Sequence, residues 1–309
     1  MYRKGVVLSG EAERTSNKAV AALLLAATLW GIFWYPLRLL EQGGMVGLWA
    51  AFFIYLGTLP VALPVFWRSR HQFAANPMVL GVIALASGWC NVSFFLAMLE
   101  GNVVRVLLLF YLAPLWTVLF GALVLRERPS PASLVHLAVA MAGALFMLWD
   151  PTLSHPWPQT YADWLAISSG FSFAIANVMT RKGAALSDGA KVSAAWLGAF
   201  IVSVIWLALA APELGAVAMP GIVGAVALGL FGIVIMTSAV LYGVSRMPVH
   251  RSAVILLFEL IVGAVSAQIL THEVVLPREW IGGACILVAA WLSARQPVEP
   301  SAAKPAASG

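Results

Sequence analysis

Charge is scarce in this chain. Only 10% of its 309 residues are Asp, Glu, Lys or Arg, whereas 61% are hydrophobic and the mean hydropathy is +0.91. A soluble domain carries about 25% charge, so water is not the only solvent of this surface. Cysteine is nearly absent. Cys90 and Cys285 each stand in an apolar run without a CxxC or Cys/His cluster, which argues against a disulfide framework. His71, His136, His155, His250 and His272 are too dispersed for a metal site, so neither metal nor cofactor is expected. There is no GxGxxG after a strand, no Walker loop and no HExxH, hence no signature of a soluble enzyme or of ATP hydrolysis. Nor is there a dense basic tract. The net charge of +5 is scattered between apolar runs, so nucleic acid is not an expected partner.

Long apolar runs fill the rest. A spanning helix needs about 20 residues to cross a core near 30 Å. The first half offers runs at 19–38, 45–67, 76–98, 103–125 and 131–149, and the second at 161–181, 191–211, 218–243, 249–270 and 277–294. Strands of a membrane barrel are about ten residues long and alternate; VRVLLLFYLAPLWTVLFGALVL does neither. The expected fold is therefore an all-α integral membrane protein with ten transmembrane helices. Thirteen Trp and six Tyr suit interfacial belts. The expected organisation is a polar N-terminal segment 1–18, a five-helix unit 19–149, a loop 150–160, a second five-helix unit 161–294 and a tail 295–309. The tail is rich in Pro, Ala and Ser and reads as disordered. The start, MYRKGVVLSGEAERTSNK, has no convincing small-residue cleavage site, which argues against a cleavable signal peptide.

The two units are related. NVVRVLLLFYLAPLWTVLFGALVLRERPSPASLVHL, from Asn102, aligns without a gap on PVHRSAVILLFELIVGAVSAQILTHEVVLPREWIGG, from Pro248. Arg105 falls on Arg251, Glu127 on Glu273 and Pro131 on Pro277, at a constant spacing of 146 residues. With a cytoplasmic N-terminus, the run boundaries put 15 of the 18 basic residues on the cytoplasmic side, leaving Arg38, Arg105 and Arg278 outside. That count requires an even number of crossings. Five per unit is odd, so the second unit enters from the opposite side. Inverted repeats of this kind let one side of a membrane protein close while the other opens, which points to a transporter.

Several residues carry possible chemistry. Glu259 lies about ten residues into the ninth run, near mid-bilayer, where an unpaired charge costs several kcal/mol and a carboxylate faces a cavity or a partner. It is a candidate contact for a substrate amino group or a site of proton exchange; the alternative is a carboxyl bonded across a helix interface. Its repeat position is Ala113. Asn91 and its repeat position Thr237 are candidate hydrogen-bonding groups for a substrate, or else interhelical glue. Trp30 and Tyr111 sit too deep for interfacial anchors and are candidates to line a cavity for flat or apolar solutes. Arg105 and Arg251, three residues into the fourth and ninth runs, read as snorkelling residues or as gate charges, with Glu127 or Asp188 as partners for Arg251. Pro36 and Pro114 are the better hinge candidates among the prolines inside the runs.

On these residues the chain resembles the drug/metabolite transporter superfamily, in its ten-helix, EamA-like branch with a duplicated five-helix domain. The resemblance covers roughly 19–294 and is strongest in YLAPLWTVLFGALVLRERPSPASLVHLAVAMAGALFM and LFELIVGAVSAQILTHEVVLPREWIGGACILVAA. The family pattern of a Pro in the fourth span, a Glu-Pro pair in the ninth and a Gly-Glu turn carries onto Pro114, Glu259, Glu127 and Glu273. Leu260 stands where the Pro beside Glu259 is expected, and Arg126 and His272 stand where Gly precedes each turn acid. Trp30 and Gly31 match the Trp-Gly opening. The resemblance implies a bacterial inner-membrane transporter with cytoplasmic termini, working by alternating access in a chain read as monomeric. Its expected partners are the lipid bilayer and a small-molecule substrate, an amino acid or metabolite. Within the superfamily the chain is most similar to aromatic amino acid exporters, which makes export of aromatic or other apolar amino acids the first expectation. A broad-range exporter of drugs, metabolites or lipophilic cations is the alternative, and a non-transporting scaffold a remote one.

Overall fold

The computed structural model describes residues 2–45, 47–101, 103–127, 129–149, 158–211, 217–270 and 276–295, with side chains from residue 15 onward except those of 99, 103–105, 108 and 279. Every regular element among them is helical. In chain order they are α1 (Tyr2–Gln42), α2 (Gly47–Ala75), α3 (Pro77–Glu100), α4 (Val103–Phe110), α5 (Ala113–Phe120) with a π turn Gly121–Leu125, α6 (Pro131–Leu148) and α7 (Tyr161–Lys182). Then follow α8 (Asp188–Ala210), α9 (Met219–Ala227), a π segment Leu228–Ile233, α10 (Val234–Arg246), α11 (Val249–Leu256), α12 (Phe258–Leu270) and α13 (Pro277–Arg295).

Local chemistry sets the starts. Pro77 and Pro131 occupy the first turns of α3 and α6, where a missing N–H leaves nothing unsatisfied. Thr160 and Asp163 cap α7 reciprocally, each accepting the other's backbone N–H at 3.2 Å. Ser187 Oγ accepts the Ala190 N–H at the start of α8.

Among the described residues, seven helical stretches are long and apolar enough to cross a bilayer, with Ala113–Leu125 and Trp280–Arg295 as shorter apolar helices. Large apolar side chains such as Leu63, Leu123, Leu209, Phe231 and Ile269 point outward and are exposed. In water such a surface would aggregate; in lipid it is the solvated face. The protein is an all-α, multi-pass membrane protein.

Helix ends depart from the apolar runs in two ways. First, α1 and α2 continue into polar sequence, α1 back to Tyr2 and α2 on to Ala75. Intrahelical hydrogen bonds do not require apolar side chains, and Arg70 folds back over the Trp67 ring at 4.5 Å instead of ending the helix. Second, three of the runs are interrupted. The fourth breaks at Tyr111–Leu112, the eighth passes through the π segment, and the ninth breaks at Leu257. Of the expected loop and tail, residues 150–157 and 296–309 lie outside the described residues.

Packing places α7 inside the bundle, against α3 above all and also α4, α5 and α10. That enclosure lets it carry buried Ser169, Asn177 and Thr180 where a lipid-facing helix would not. Likewise α1 lies on α10 and α12, α2 on α8 and the π segment, α3 on α8, and α6 on α13. The α6–α13 contact is made through backbone: a Cβ at Gly143 would stand 2.6 Å from the Gly282 carbonyl oxygen.

Candidate functional site

Helices α1, α2, α3, α7, α8 and α10, together with the two broken pairs α4–α5 and α11–α12, surround a cavity of about 120 Å³. Rings supply much of its wall: Trp30, Tyr55, Phe94, Tyr111, Phe173 and Trp196. Phe110 joins three of them, with centroids 4.8 Å from Phe94, 5.5 Å from Tyr111 and 5.8 Å from Phe173, all in tilted or edge geometries. Neutral polar groups are spaced between, including Asn91, Thr117, Asn177, Thr180 and Thr237. Among the described lining residues one carboxylate, Glu259, is present and no Lys, Arg or His.

The break in the ninth run positions Glu259. Leu257 leaves the α11 ladder with its N–H on the Val254 carbonyl at 3.3 Å, and α12 starts directly after it. Glu259 thus occupies the first turn of α12, where unpaired N–H groups and the helix dipole favour a negative charge. Leu260 holds the place of the expected proline, and the helix breaks without it. A backbone approach from α1 braces the break, since a Cβ at Gly31 would meet the Glu259 carbonyl oxygen at 2.7 Å. The break in the fourth run faces it. Tyr111 sits in that break and shares the cavity wall with Glu259. Pro114 follows in the first turn of α5, where proline is compatible with a new helix start. Two interrupted helices therefore meet at the only carboxylate of the described cavity wall, and Glu259 is half-buried.

Other contacts fix the wall. Ser169 Oγ donates to the Cys90 carbonyl at 2.7 Å, tying α7 to α3, and Asn91 Nδ2 donates to the Ser87 carbonyl at 2.7 Å. One turn along α1 from Trp30, Trp34 Nε1 donates to Ser266 Oγ at 2.9 Å, holding α1 to α12.

Glu259, Asn91, Trp30, Tyr111, Thr237 and Pro114 all line this one cavity. Pro36 lies within the continuous α1 and does not line it. The Arg105 side chain and Glu273 lie outside the described residues. Arg251 is buried at 3% exposure and donates through Nη2 to the Ala294 carbonyl oxygen at the end of α13. The acids considered for it are engaged elsewhere: Glu127 with Arg181, and Asp188 with Lys191 and Arg246. Sequence reasoning missed Tyr55, Asn177, Thr180 and Trp196. Asn177 and Thr180 carried a signal, being polar groups within an apolar stretch of α7; Tyr55 and Trp196 did not, because a ring in an apolar run has no mark of the side it faces.

Residues 17–149 and 160–295 each match the EamA-like transporter family. The chain belongs to that family. Its members are transporters, not enzymes. An uncharacterized transporter of Pseudomonas aeruginosa is 30% identical over 156 residues, which are 48% of this chain and 50% of that protein. The chain thus spans half the length of that relative in the match. One solved crystal structure superposes with a TM-score of 0.70 at 17% identity, covering 89% of this chain and 95% of its own, a likeness of fold alone.

Proposed function

We propose that the protein carries organic solutes across a bacterial inner membrane by alternating access, and that its preferred cargo is a flat, largely apolar cation or amine of the drug/metabolite class. The observation that carries this reading is the lone Glu259 carboxylate in a ring-lined cavity whose described wall holds no basic side chain. A half-buried carboxylate with no basic side chain in the described wall favours a cationic solute, which supplies the opposite charge while its flat surface is covered by rings. Export as the direction rests on the family resemblance.

An amino acid exporter is the second reading. The same rings suit an aromatic side chain, and Glu259 suits its ammonium group. Its carboxylate, however, would have only neutral donors such as Asn91, Asn177 and Thr237 to hold it.

The architecture we infer is ten crossings in two inverted units, 19–149 and 161–294, joined through 150–160, with both termini cytoplasmic. Helix contacts support it. If the first five runs are exchanged with the last five, α3 on α7 becomes α10 on α1, α2 on the π segment becomes α8 on α3, and α6 on α13 maps onto itself, and all of these contacts are made. Alternation would use the paired breaks at Tyr111–Leu112 and Leu257, with Pro114 at the first.

Purified protein in liposomes, offered a labelled lipophilic cation, Trp, Phe, Tyr, Leu and Thr, tests the cargo. Flux of the cation that is outcompeted by other flat cations supports the reading. Stereospecific flux of aromatic amino acids without cation flux would move the conclusion to the second.

A further inference from the structure

Four helices that wall the cavity are tied together just beyond it. Thr180, Leu241, Ala195 and Ala253 line the cavity. Arg181 follows Thr180, Ser245 lies one turn after Leu241, Lys191 one turn before Ala195, and Val249 one turn before Ala253. A turn rises about 5.4 Å, so these groups form a floor directly against one end of the site. Arg181 donates from Nε to Glu127 Oε1 at 3.1 Å and from Nη1 to the Ser245 carbonyl at 2.9 Å. Glu127 Oε2 accepts the Val249 N–H at 3.0 Å, which caps the start of α11. Lys191 Nζ donates to Ser245 Oγ at 2.7 Å and pairs with Asp188 at 3.1 Å, and Asp188 also pairs with Arg246 at 2.7 Å.

The exposures show how such a floor can open. Lys191 has no exposed surface and is stable only while Asp188 and Ser245 surround it. The other members keep 20–38% of their side chains exposed, so water can replace their partners once the helix ends separate. The opposite end of the bundle cannot rebuild the same pairs. At the 146-residue spacing the repeat positions of Asp188, Lys191 and Arg246 are Gln42, Met45 and Glu100, which cannot form the same ion pairs.

We propose that Glu127 is the positioning residue of a charge latch, Glu127–Arg181 with Asp188–Lys191–Arg246, which shuts one mouth of the cavity and must open for solute to pass on that side. Glu127 acts through α11: it holds the start of the helix whose far end breaks beside Glu259. The proposal rests on the transporter reading, and by the charge count this mouth is the cytoplasmic one.

Cys90 lines the cavity and serves as a reporter once Cys285 is replaced by Ser. The full chain is placed in sealed vesicles of both orientations, and the rate at which a membrane-impermeant cationic methanethiosulfonate modifies Cys90 is followed. With the latch intact, modification from the latch side is slow. Arg181→Gln and Asp188→Asn each raise it roughly fivefold or more, from that side alone, whereas Arg181→Lys keeps it slow. Ser245→Ala, which removes the Lys191 acceptor, is read in the same way should the charge variants fail to insert. Fast modification with the latch intact, an equal rise from both faces, Lys behaving as Gln, or no change in folded variants would each overturn the latch. The readout is independent of flux. Absence of transport for every solute would sink the proposed function and leave the latch standing, and a reversed sidedness would sink only the orientation.

Discussion

Glu259 is where a single atom decides most. Replacing one carboxylate oxygen by an amide, Glu259→Gln, keeps the volume and the first turn of α12 but removes the charge. A cation held by that charge loses a charge-assisted contact of about 1.5–3 kcal/mol, so its flux at limiting concentration should fall about 10- to 100-fold. A neutral flat solute should move at nearly the original rate. Unchanged cation flux in folded Glu259→Gln would remove the carboxylate from the recognition of cargo. Trp30 makes a complementary test. Its ring faces the cavity and leans on Phe33 at 5.2 Å, so Trp30→Ala removes stacking surface without disturbing charge. The expected loss is about 0.5–1.5 kcal/mol, a several-fold rise in the half-saturating concentration of an aromatic cation and little change for a small aliphatic one. Glu259 was legible in the sequence because a carboxylate in the middle of SAVILLFELIVGAVSAQIL has few structural excuses. Trp196 was not, since helical phase relative to neighbours decides whether a ring meets lipid or cavity, and one sequence does not contain that phase.

Among the elements, most spans were legible from apolar length, and their interruptions were not. Pro114 marked the fourth run, but the ninth breaks at Leu257 with no proline, and the close Gly31 approach beside that break is a tertiary contact with no local sequence mark. The most exacting helix contact is α6 on α13. Added atoms at Gly143 would meet the Gly282 carbonyl oxygen and the Cys285 Cβ, the latter at 2.8 Å, and helix backbones have no rotamer by which to yield. Gly143→Val should therefore destabilise the folded protein by about 1–3 kcal/mol, seen as a lower midpoint of thermal unfolding in detergent. Gly81, around which the structure leaves open space, is the control, and Gly81→Val should shift the midpoint far less. Since α6 and α13 lie outside the cavity wall, transport per folded molecule by Gly143→Val should stay near normal. An unchanged midpoint would mean that the two helices separate more readily than their backbone contact implies.

At the scale of the whole molecule, the same 146-residue spacing that relates Asn91 to Thr237 also relates Ala113 to Glu259, and all four positions line one cavity. The proposed pseudo-two-fold arrangement would account for the convergence of equivalent residues, while the Ala/Glu difference makes the site itself asymmetric. On the proposed architecture, the charge distribution would give the arrangement a direction. With its five crossings per unit, the turn after α1 and the turn after α7, which follow equivalent first helices, would face opposite compartments. Glu41 and Ala185 are exposed at those two turns. With Cys90 and Cys285 replaced by Ala and Ser, single cysteines Glu41→Cys and Ala185→Cys can be probed in intact cells with an impermeant maleimide. Glu41→Cys should be labelled from outside, and Ala185→Cys only after the membrane is opened. Basic residues support that polarity: Arg181 and Lys182 immediately precede the second turn, whereas the first turn has Glu41 and two glycines. Labelling of both from the same side would require the two units to be parallel, and the exchange of contacts between α3–α7 and α1–α10 would then need another origin. Labelling of Ala185→Cys alone would keep the inversion and reverse the molecule in the membrane, putting the Glu127–Arg181 mouth outside.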